Sequence, residues 1–583
     1  MRMVYSHYST EYCDRYVSPS STRATIRKIV QRTIRHSPRV LINTTTGRLH
    51  DKAEQAAAFE ATLIFKKLIL SMTTRINYVR IKREVREYFR YVMLSHKWEK
   101  NEPLFHQVVH TAVYGLNHSP THDKLQTFCK IVRDAGFHWA WSDTCRINKS
   151  DHFILQEALV AMFKWYQGST LMIVFLRGVH SSSPRGALGK SIWNTRAWTL
   201  QEYVASKTIH FYTEDWARYL DLELRNHKES PEMISEMEQA TEVFAQQLMA
   251  LRPGLSSIRE KLRLASTRHT TLVEDAAYSL LGIFSVTGIP AIYGEGEGSL
   301  GRLLAHVLTG SGDVSILAWT GESGSFNSCL PAHITVFNGP AMSHLPSPVQ
   351  DAEMDRFITV SHASPFDLDV AMRLYDRLNE LPAPWFAASR MKLPCIAFQL
   401  PSFSSHQTRS GYVYRADTVA FGIVEIKTRH DVSRMKSLYL VHPWLDALLD
   451  RENMGVHNNA FIDDDDEAPP PSPSTDDDGI SDTDSDDDEF FDACEDVSSL
   501  AEPEPASQST PARMVPMDRE TRARRLAARL RQPFGALLVT LASTGRRAVD
   551  YKRVAADSLI TVRFRENVSL ADILENVRTL DVL

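Results

Sequence analysis

The side chain in this sequence with the clearest potential for chemistry is Glu202. It lies in the segment 193–203, which follows the short apolar run 170–176. Such a run, bounded by polar residues, is typical of a buried strand. Trp198 and Glu202 are four residues apart, so a helix would place them on one face and let the indole shield the carboxylate from water. Open α/β sheets bind ligands just beyond their strand ends, so the pattern predicts a ligand-binding carboxylate.

Five more residues lie at or just after the ends of two earlier strand-like runs, at 91–95 and 138–143. They are Ser95, His96, Lys97, Trp98 and Asp143. Because the carboxyl ends of parallel strands lie on one edge of a sheet, we expect these side chains to converge with Glu202. Together with Trp198, they make up the predicted site.

The elements that must position these residues alternate along the chain. A predicted hairpin at 39–49 comes first. Strand-like runs then alternate with segments of helical periodicity, and the runs lie at 91–95, 138–143, 170–176 and 208–212. Such alternation predicts an α/β fold with a parallel sheet and right-handed crossovers.

Composition places the chain among ordinary globular proteins. Hydrophobic residues make up 43% of its 583 residues, enough for two or three domains with their own cores. No apolar stretch reaches transmembrane length, and the N-terminus lacks the apolar core of a signal peptide. The six cysteines are scattered without closely spaced pairs, which favours a reducing, cytoplasmic location and argues against a zinc site. Neither a metal nor a resident cofactor is expected.

The net charge of −5 conceals two regions of opposite sign. Residues 463–496 carry 17 acidic residues and no Lys or Arg, so the rest of the chain carries about +12. The acidic tract has too few apolar residues to bury a core, and it is predicted to be disordered. The mild positive charge elsewhere does not point to a nucleic-acid partner, and none is expected.

Changes in composition divide the chain into six segments. Strand-like runs resume after the acidic tract, so we interpret the tract as an insert in a β-rich domain. The expected segments are a flexible basic N-terminal segment (1–38), an α/β domain (39–215), its helical extension (216–320), the first part of a β-rich C-terminal domain (321–454), a disordered acidic insert (455–512), and a basic helix with the second part of the β-rich domain (513–583).

Several separate blocks of the sequence resemble the fungal heterokaryon-incompatibility (HET) domain family. The blocks occur in the family's order and span about residues 39–320. They are 39–49, Tyr91-Val92-Met93-Leu94-Ser95-His96-Lys97-Trp98, Trp141-Ser142-Asp143-Thr144-Cys145, 157–166, Arg196-Ala197-Trp198-Thr199-Leu200-Gln201-Glu202 and 274–297.

The HET family is in turn similar to TIR domains, flavodoxin-like folds that assemble signalling complexes or cleave NAD at the nicotinamide-ribose bond. Enzymatic TIR domains carry their essential glutamate in a Trp-Cys-x-x-Glu motif on the helix after the third strand. Here Trp198 and Glu202 occupy the equivalent positions, with Thr199 in place of the cysteine. The resemblance implies a TIR/flavodoxin-like parallel sheet, Glu202 as the catalytic residue and NAD as the substrate.

The chemistry implied for Glu202 needs only one carboxylate. Breaking an N-glycosidic bond to a cationic leaving group requires no proton donor, but its transition state needs a negative charge close to an oxocarbenium-like ribose. Trp198 is expected to pack against Glu202, and Ser95, His96 and Lys97 are expected to line the phosphate or ribose side. The alternative is that Glu202 caps or salt-bridges an ordinary helix.

The other candidates also have two interpretations each. Asp143 could bind a ribose hydroxyl or cap the turn that follows its strand. Trp98 could be an adenine platform, although a core or rim position is favoured. His96 could act as a general base, but the sequence shows no partner for it.

A glycine-rich segment at 296–301 matches the dinucleotide-binding pattern G-x-G-x-x-G. It does not open the first strand-helix-strand unit, and neighbouring glutamates would repel phosphate, so a structural turn is favoured. Arg268, Glu274 and Asp275 are expected to form a buried ion network rather than a metal site.

Two functional hypotheses follow from these expectations. In the first, the protein is a self/non-self recognition or programmed-cell-death effector whose HET domain cleaves NAD, with self-association ordering the site. In the second, it is a non-enzymatic signalling module, and the same sheet is an assembly surface for partner proteins. A weaker third is a hydrolase of another kind. No membrane partner is expected.

Overall fold

A computed structural model describes residues 16–145, 152–221, 223–241, 251–339, 365–400, 402–409, 411–433, 435, 437–444, 518–544 and 549–583. The described residues form a mixed α/β structure, as expected, in which a sheet with parallel strands is followed by a β-rich C-terminal region. The predicted disordered insert at 455–512 lies outside the described residues.

A six-stranded sheet carries the residues of the predicted site. Its strands are β1 (Val40–Asn43), β2 (Leu49–Asp51), β3 (Tyr91–His96), β4 (Trp139–Ser142), β5 (Leu171–Leu176) and β6 (Ile209–Thr213). They lie side by side in the order β2-β1-β4-β3-β5-β6. Strands β3 to β6 pair in parallel, as predicted, whereas β1 pairs antiparallel with both β2 and β4.

The strand order reverses in the middle of this sheet. The chain runs from β3 to β4 on one side and then returns to β5 on the other side of β3. In an open α/β sheet, the crevice beyond the strand ends at such a reversal is where ligands bind. A ligand site is therefore expected at the carboxyl ends of β3 and β5.

Helices cover both faces of the sheet. Those of the N-terminal half are α1 (Pro19–Ile34), α2 (Lys52–Glu60), α3 (Leu63–Leu70), α4 (Tyr78–Tyr88), α5 (Phe105–Val108), α6 (Pro120–Asp134), α7 (His152–Gly168), α8 (Ala197–Ala205), α9 (Pro231–Thr241), α10 (Ile258–Ser266), α11 (Asp275–Tyr278) and α12 (Gly298–Ser311). With both faces buried, the parallel strands are nearly continuous apolar runs.

Side chains that alternate along β3 meet different helices. Val92 and Leu94 join an apolar cluster with Phe128 of α6. Met93 joins the opposite cluster, which contains residues of α7 and α8 such as Tyr166 and Leu200. Since successive strand residues point to opposite faces, Ser95 and His96 at the end of β3 must also diverge.

The prediction of a flexible segment at 1–38 is wrong for residues 19–34, which form α1. Its buried side chains recur at helical spacing, and they are Thr22, Ile26, Val30 and Ile34. Ser18 caps the helix by accepting a hydrogen bond from the Ser21 amide at 3.1 Å. The high arginine content is misleading because arginines such as Arg23 and Arg27 occupy the exposed face.

The C-terminal region is β-rich, as predicted. Its elements are α13 (Pro365–Asn379), β7 (Trp385–Ala387), β8 (Arg390–Gln399), β9 (Phe403–Thr408), β10 (Gly411–Thr418), β11 (Gly422–Thr428), β12 (Leu438–Pro443), α14 (Arg519–Leu530), β13 (Phe534–Thr544), β14 (Val549–Val554), β15 (Ile560–Val562), α15 (Leu570–Glu575) and β16 (Val577–Val582). Pairing of β8 with both β12 and β16 closes five of these strands into a ring.

A buried arginine joins this region to the preceding one. Arg553 of β14 donates hydrogen bonds to the carbonyls of Leu317, Trp319 and Cys329 at 2.8–3.3 Å. Its guanidinium also stacks over the Trp319 ring at 3.7 Å from the centroid. Burial lowers the pKa of Arg553 to about 10, and the three carbonyls compensate for the loss of hydration.

Among the described residues, none of the helices combines the length and the apolar character that a membrane span requires.

The substitution Ile26→Ala tests whether α1 belongs to the core. Ile26 is fully buried, so its truncation is expected to lower the free energy of unfolding by about 2 to 5 kcal/mol. Urea unfolding monitored by tryptophan fluorescence measures the change. The exposed neighbour Lys28 provides the control, since Lys28→Ala is expected to change stability by about 0.5 kcal/mol or less. Equal stabilities of the two variants would contradict the packing of α1.

Candidate functional site

Glu202 lies on α8 and points into the protein rather than to solvent. Only 6% of the residue is exposed. Its carboxylate accepts a hydrogen bond from the hydroxyl of Ser95, which lies near the end of β3 on the face covered by α7 and α8. The helix after β5 and the end of β3 thus meet at the strand reversal, as the sequence predicted.

Two aromatic residues complete the surroundings of Glu202. The indole Nε1 of Trp193 donates to the Ser95 hydroxyl oxygen at 2.7 Å, which leaves the hydroxyl proton for Glu202. The Tyr166 hydroxyl lies within hydrogen-bonding reach of Glu202 and of the Leu94 carbonyl, the latter at 3.2 Å. Trp193 and Tyr166 were not among the predicted site residues.

Trp198, which was predicted to shield Glu202, has a different hydrogen-bond partner. Its indole bonds to Asp275, which also accepts a hydrogen bond from the Tyr293 hydroxyl at 3.0 Å. The indole that is hydrogen-bonded into the Glu202 network is Trp193. A spacing of four residues places two side chains on one helix face, but it does not select their partners.

The environment of Glu202 favours its protonated form. Burial raises the pKa of Glu202 to about 7, and the nearby charge of Asp143 acts in the same direction. Hydrogen bonds from Ser95 and Tyr166 and the positive charge of Arg196 oppose this rise. A buried carboxyl that titrates near neutral pH at a strand reversal is typical of a functional group.

A second cluster forms around Asp143, just after β4. Its carboxylate accepts hydrogen bonds from His96 Nε2 at 3.3 Å and from Trp98 Nε1 at 2.5 Å. Burial acts to raise the pKa of Asp143, but the hydrogen bond and charge of His96, the hydrogen bond of Trp98 and the charge of Arg196 outweigh it and hold the pKa below its usual value. The Asp143 side chain is 19% exposed and that of His96 only 1%, so the imidazole lies behind the carboxylate.

His96 does have a partner, which the sequence did not reveal. Lys124 of α6 lies with its Nζ 2.9 Å from His96 Nδ1, and it also forms an ion pair with Glu102. An ammonium group can only donate, so Nδ1 must be the acceptor and Nε2 must carry the proton. The 3.6 Å between Nδ1 and Glu102 is too long for a competing hydrogen bond. His96 therefore donates to Asp143.

The start of α8 is anchored by a buried guanidinium. Arg268 donates to three uncharged oxygens: the Arg196 carbonyl at 2.9 Å, Thr199 Oγ1 at 2.9 Å and Asn194 Oδ1 at 3.1 Å. Burial lowers the pKa of Arg268 to about 10, while the charge of Glu202 acts in the opposite direction. The predicted ion network of Arg268 with Glu274 and Asp275 is wrong, because these uncharged acceptors occupy its guanidinium.

The glycine-rich segment has a structural role, as favoured from the sequence: Gly296 lies in a turn, and residues 298–301 begin α12. The Glu274 carboxylate accepts hydrogen bonds from the amides of Gly294 and Gly296 at 2.8 and 3.0 Å. These two amides are therefore not free to hold a phosphate. Hydrogen bonds from the backbone amide of Glu274 itself, and then from these two glycines, lower the pKa of Glu274.

The structure joins five of the seven predicted site residues into two clusters, Ser95 with Glu202 and His96 with Trp98 and Asp143. No hydrogen bond or ion pair among the described residues connects the half-buried Lys97 to either cluster. Within the same ranges, no group of three or more His, Cys, Asp or Glu side chains has the arrangement of a metal site.

Comparison with known proteins shows a similarity to one family over part of the chain. Residues 91–188 match the family model Heterokaryon incompatibility protein (HET). The chain is also similar to vegetative incompatibility protein HET-E-1 of Podospora anserina, with 35% identity over 228 residues. That similarity covers 36% of this chain, and the chain spans only 16% of the length of the relative. No solved structure matches. The resemblance to the HET family is confirmed, whereas the likeness to TIR domains stays an interpretation.

The substitution Glu202→Gln is expected to remove a pH dependence of stability. Because the pKa of Glu202 rises from 4.5 to about 7 on folding, the folded state binds a proton more tightly than the unfolded chain. The wild-type free energy of unfolding should therefore fall, on the order of 3 kcal/mol, as the pH rises from about 4 to about 8. Glutamine has no such titration, so the variant should gain stability over wild type as the pH rises. Urea unfolding across this pH range measures the difference.

Glu236 of α9 provides a matched control for this substitution. It is as buried as Glu202, with 6% of the residue exposed, and it accepts a hydrogen bond from Tyr219 at 3.0 Å. Glu236→Gln should leave the pH dependence due to Glu202 in place. The raised pKa of Glu202 is contradicted if the stabilities of wild type and Glu202→Gln show the same pH dependence.

Proposed function

We propose that this chain, which carries a HET-family region, acts in self/non-self recognition or programmed cell death in the cytoplasm, and that it hydrolyses NAD at the nicotinamide-ribose bond. The main support is the position of Glu202, a buried carboxyl with a pKa of about 7 beside the carboxyl end of β3. The printed name of the relative, a vegetative incompatibility protein, supports the biological role.

The topology supports a nucleotide-like ligand. The four parallel strands lie in the order β4-β3-β5-β6, which is the order of the first four strands of a flavodoxin-like sheet. In that fold, the ligand binds where the order reverses, between the first and third strands. Ser95 and Glu202 lie at this reversal, and Asp143 lies at the end of the neighbouring strand. We therefore propose a TIR/flavodoxin-like fold with NAD bound across these ends.

The proposed reaction depends on charge stabilisation. As the bond to nicotinamide breaks, positive charge develops on the ribose ring, and an ionised Glu202 beside it lowers the barrier. The attraction is strong because Glu202 is largely shielded from bulk solvent, with 6% of the residue exposed. The cationic nicotinamide-ribose of NAD would also favour the ionised form of Glu202 on binding, since a nearby positive charge lowers the pKa of a carboxyl. Water then attacks the anomeric carbon of the ribose and loses a proton, and ADP-ribose, nicotinamide and H+ are the products.

The remaining predicted residues have proposed binding roles. Asp143 is proposed to accept hydrogen bonds from ribose hydroxyls, since its side chain is 19% exposed. Trp98 orients that carboxylate through its indole Nε1. Lys97 and Trp198 are proposed to contact the phosphates and the adjacent rim of the site.

A non-enzymatic assembly module is a second candidate. The burial of Glu202 favours it, because a carboxylate that is hydrogen-bonded and 6% exposed is also what a structural role produces. Self-association through the exposed edge of β6 is opposed by its capped amides. The Ile209 amide donates to Asn226 Oδ1, the Phe211 amide donates to His227 Nδ1, and the Thr213 amide donates to the Ala217 carbonyl. Assembly of this module, with itself or with signalling partners, would therefore use helical surfaces.

Nicotinamide release from NAD by the purified full-length chain tests the enzymatic proposal. Glu202→Gln is expected to lower the rate about 100-fold or more, because it removes the stabilising charge. For wild type, kcat/KM should rise about tenfold per pH unit below pH 7 and level off above it, since the ionised form is the active one. Glu236→Gln should keep the wild-type rate. Equal rates for wild type and Glu202→Gln would exclude this catalytic role.

A specific rate that rises with protein concentration would reveal the proposed self-association.

Induced expression in a fungal host separates the enzyme from the assembly module. If NAD loss causes death, wild type and Glu236→Gln arrest growth while Glu202→Gln does not, provided the variants accumulate to the same level. Viability counts and intracellular NAD measure the effect. Growth arrest by Glu202→Gln with unchanged NAD would favour the assembly module.

A further inference from the structure

We propose that Lys124 is a positioning residue of the site: through His96, it holds the Asp143 carboxylate as an acceptor for the hydroxyl groups of a bound ribose. The identity of the ligand rests on the proposed function. The position of the proton on the His96 ring does not depend on the proposed function. The role of Lys124 and the identity of the ligand can therefore fail separately.

Lys124 is buried, which is rare for a lysine. It lies on the sheet-facing side of α6, and only 3% of the residue is exposed. A buried ammonium requires a counter-charge and further hydrogen bonds. Glu102 supplies the charge, and His96 Nδ1 supplies a second acceptor at 2.9 Å. The chain thus keeps a buried charge pair in direct contact with the imidazole.

The contact between Lys124 and His96 determines which ring nitrogen of His96 carries the proton. His96 is the last residue of β3 and points to the α6 side, while Asp143 follows the end of the neighbouring β4. With Nδ1 occupied by the ammonium of Lys124, the only proton of the neutral ring is on Nε2. That proton points at Asp143 Oδ1, 3.3 Å away. A ring with its proton on Nδ1 would instead present a lone pair to the carboxylate and repel it.

Asp143 retains acceptor capacity for a ligand. Each of its two oxygens receives one donor, His96 on Oδ1 and Trp98 on Oδ2. A carboxylate has about four acceptor positions, so the donors within the described residues leave about two. The Asp143 side chain is 19% exposed, whereas that of His96 is covered. Two adjacent acceptor positions on a fixed carboxylate fit the two O–H donors of a vicinal diol, as found in ribose.

A purely structural ion pair between Lys124 and Glu102 would predict a different outcome. In that case, removing both charges would alter stability, but it would leave the His96 ring and ligand binding unchanged. The variant K124M/E102Q removes both charges and avoids leaving Glu102 buried without its partner. K124R keeps a donor at the same position, and Lys130→Met changes an exposed lysine on the same helix.

The first measurement is the tautomer of His96 by nitrogen-15 NMR of the full chain with labelled histidine, in which His96→Asn identifies the signal. In wild type, K124R and Lys130→Met, the proton is expected on Nε2. In K124M/E102Q, only Asp143 still favours the proton on Nε2, so a detectable population of the Nδ1 tautomer is expected beside the Nε2 form. A proton on Nδ1 of His96 in wild type, or an Nε2 proton that persists unmixed in K124M/E102Q, overturns the proposal.

The second measurement is the affinity for NAD by calorimetry, with turnover measured on the same samples. K124M/E102Q is expected to weaken binding about tenfold and to raise KM by the same factor, while kcat stays within about twofold. K124R should recover most of the affinity. Unchanged affinity in K124M/E102Q overturns the role of Lys124 in binding. If wild type neither binds nor cleaves NAD, the ribose assignment falls with the proposed function, and the tautomer alone decides whether Lys124 positions His96.

Discussion

The burial of one carboxyl group beside the end of a central strand is the constraint on which the site depends. A charge that leaves water is costly unless donors and opposite charges compensate for it. For Glu202, the compensation comes from Ser95, whose hydroxyl oxygen is in turn occupied by the indole of Trp193. This arrangement directs the single hydroxyl proton toward the carboxylate. The group can therefore be held in either charge state, and its pKa lies near neutrality.

The alternation of side chains along β3 explains why the site consists of two networks. Ser95 and His96 are adjacent in sequence and point to opposite faces of the sheet. The first network lies under α7 and α8 and holds Glu202, and the second lies under α6 and holds Asp143. The two networks are coupled by charge, since the carboxylate of Asp143 raises the pKa of Glu202. A substitution that removes the charge of Asp143 is therefore expected to lower the pKa of Glu202.

The regions around the sheet share cores with it. One apolar cluster contains residues of α1, of the sheet, of α12 and of the C-terminal strands β8 and β13. Arg553 adds hydrogen bonds across the same junction. The helix α8 is held at its start by Arg268 and by backbone hydrogen bonds between His269 and residues Thr195 and Ala197. The position of Glu202 thus depends on residues well outside the six-stranded sheet.

The sequence alone was sufficient for the features that depend on local pattern. Alternating apolar runs and helical periodicity identified the parallel strands, and resumed strand patterns identified the β-rich C-terminal region. The segment that forms α1 was assigned as flexible because its buried positions, such as Ile26 and Val30, lie among exposed arginines. A lysine at an apolar-face position of α6 was a signal that could have drawn attention to Lys124, yet it named no partner.

What only the tertiary structure decided is which side chains touch. The pairs Ser95–Glu202, Ser95–Trp193 and His96–Lys124 are separated by 107, 98 and 28 residues. Sequence spacing carries information over a turn of helix or a few strand residues, because there the backbone geometry is regular. Across longer separations, the contacts depend on how the elements pack. The sequence by itself therefore determined that a carboxylate stands after the third parallel strand, and the packing decided that Trp193, rather than Trp198, joins its hydrogen-bond network.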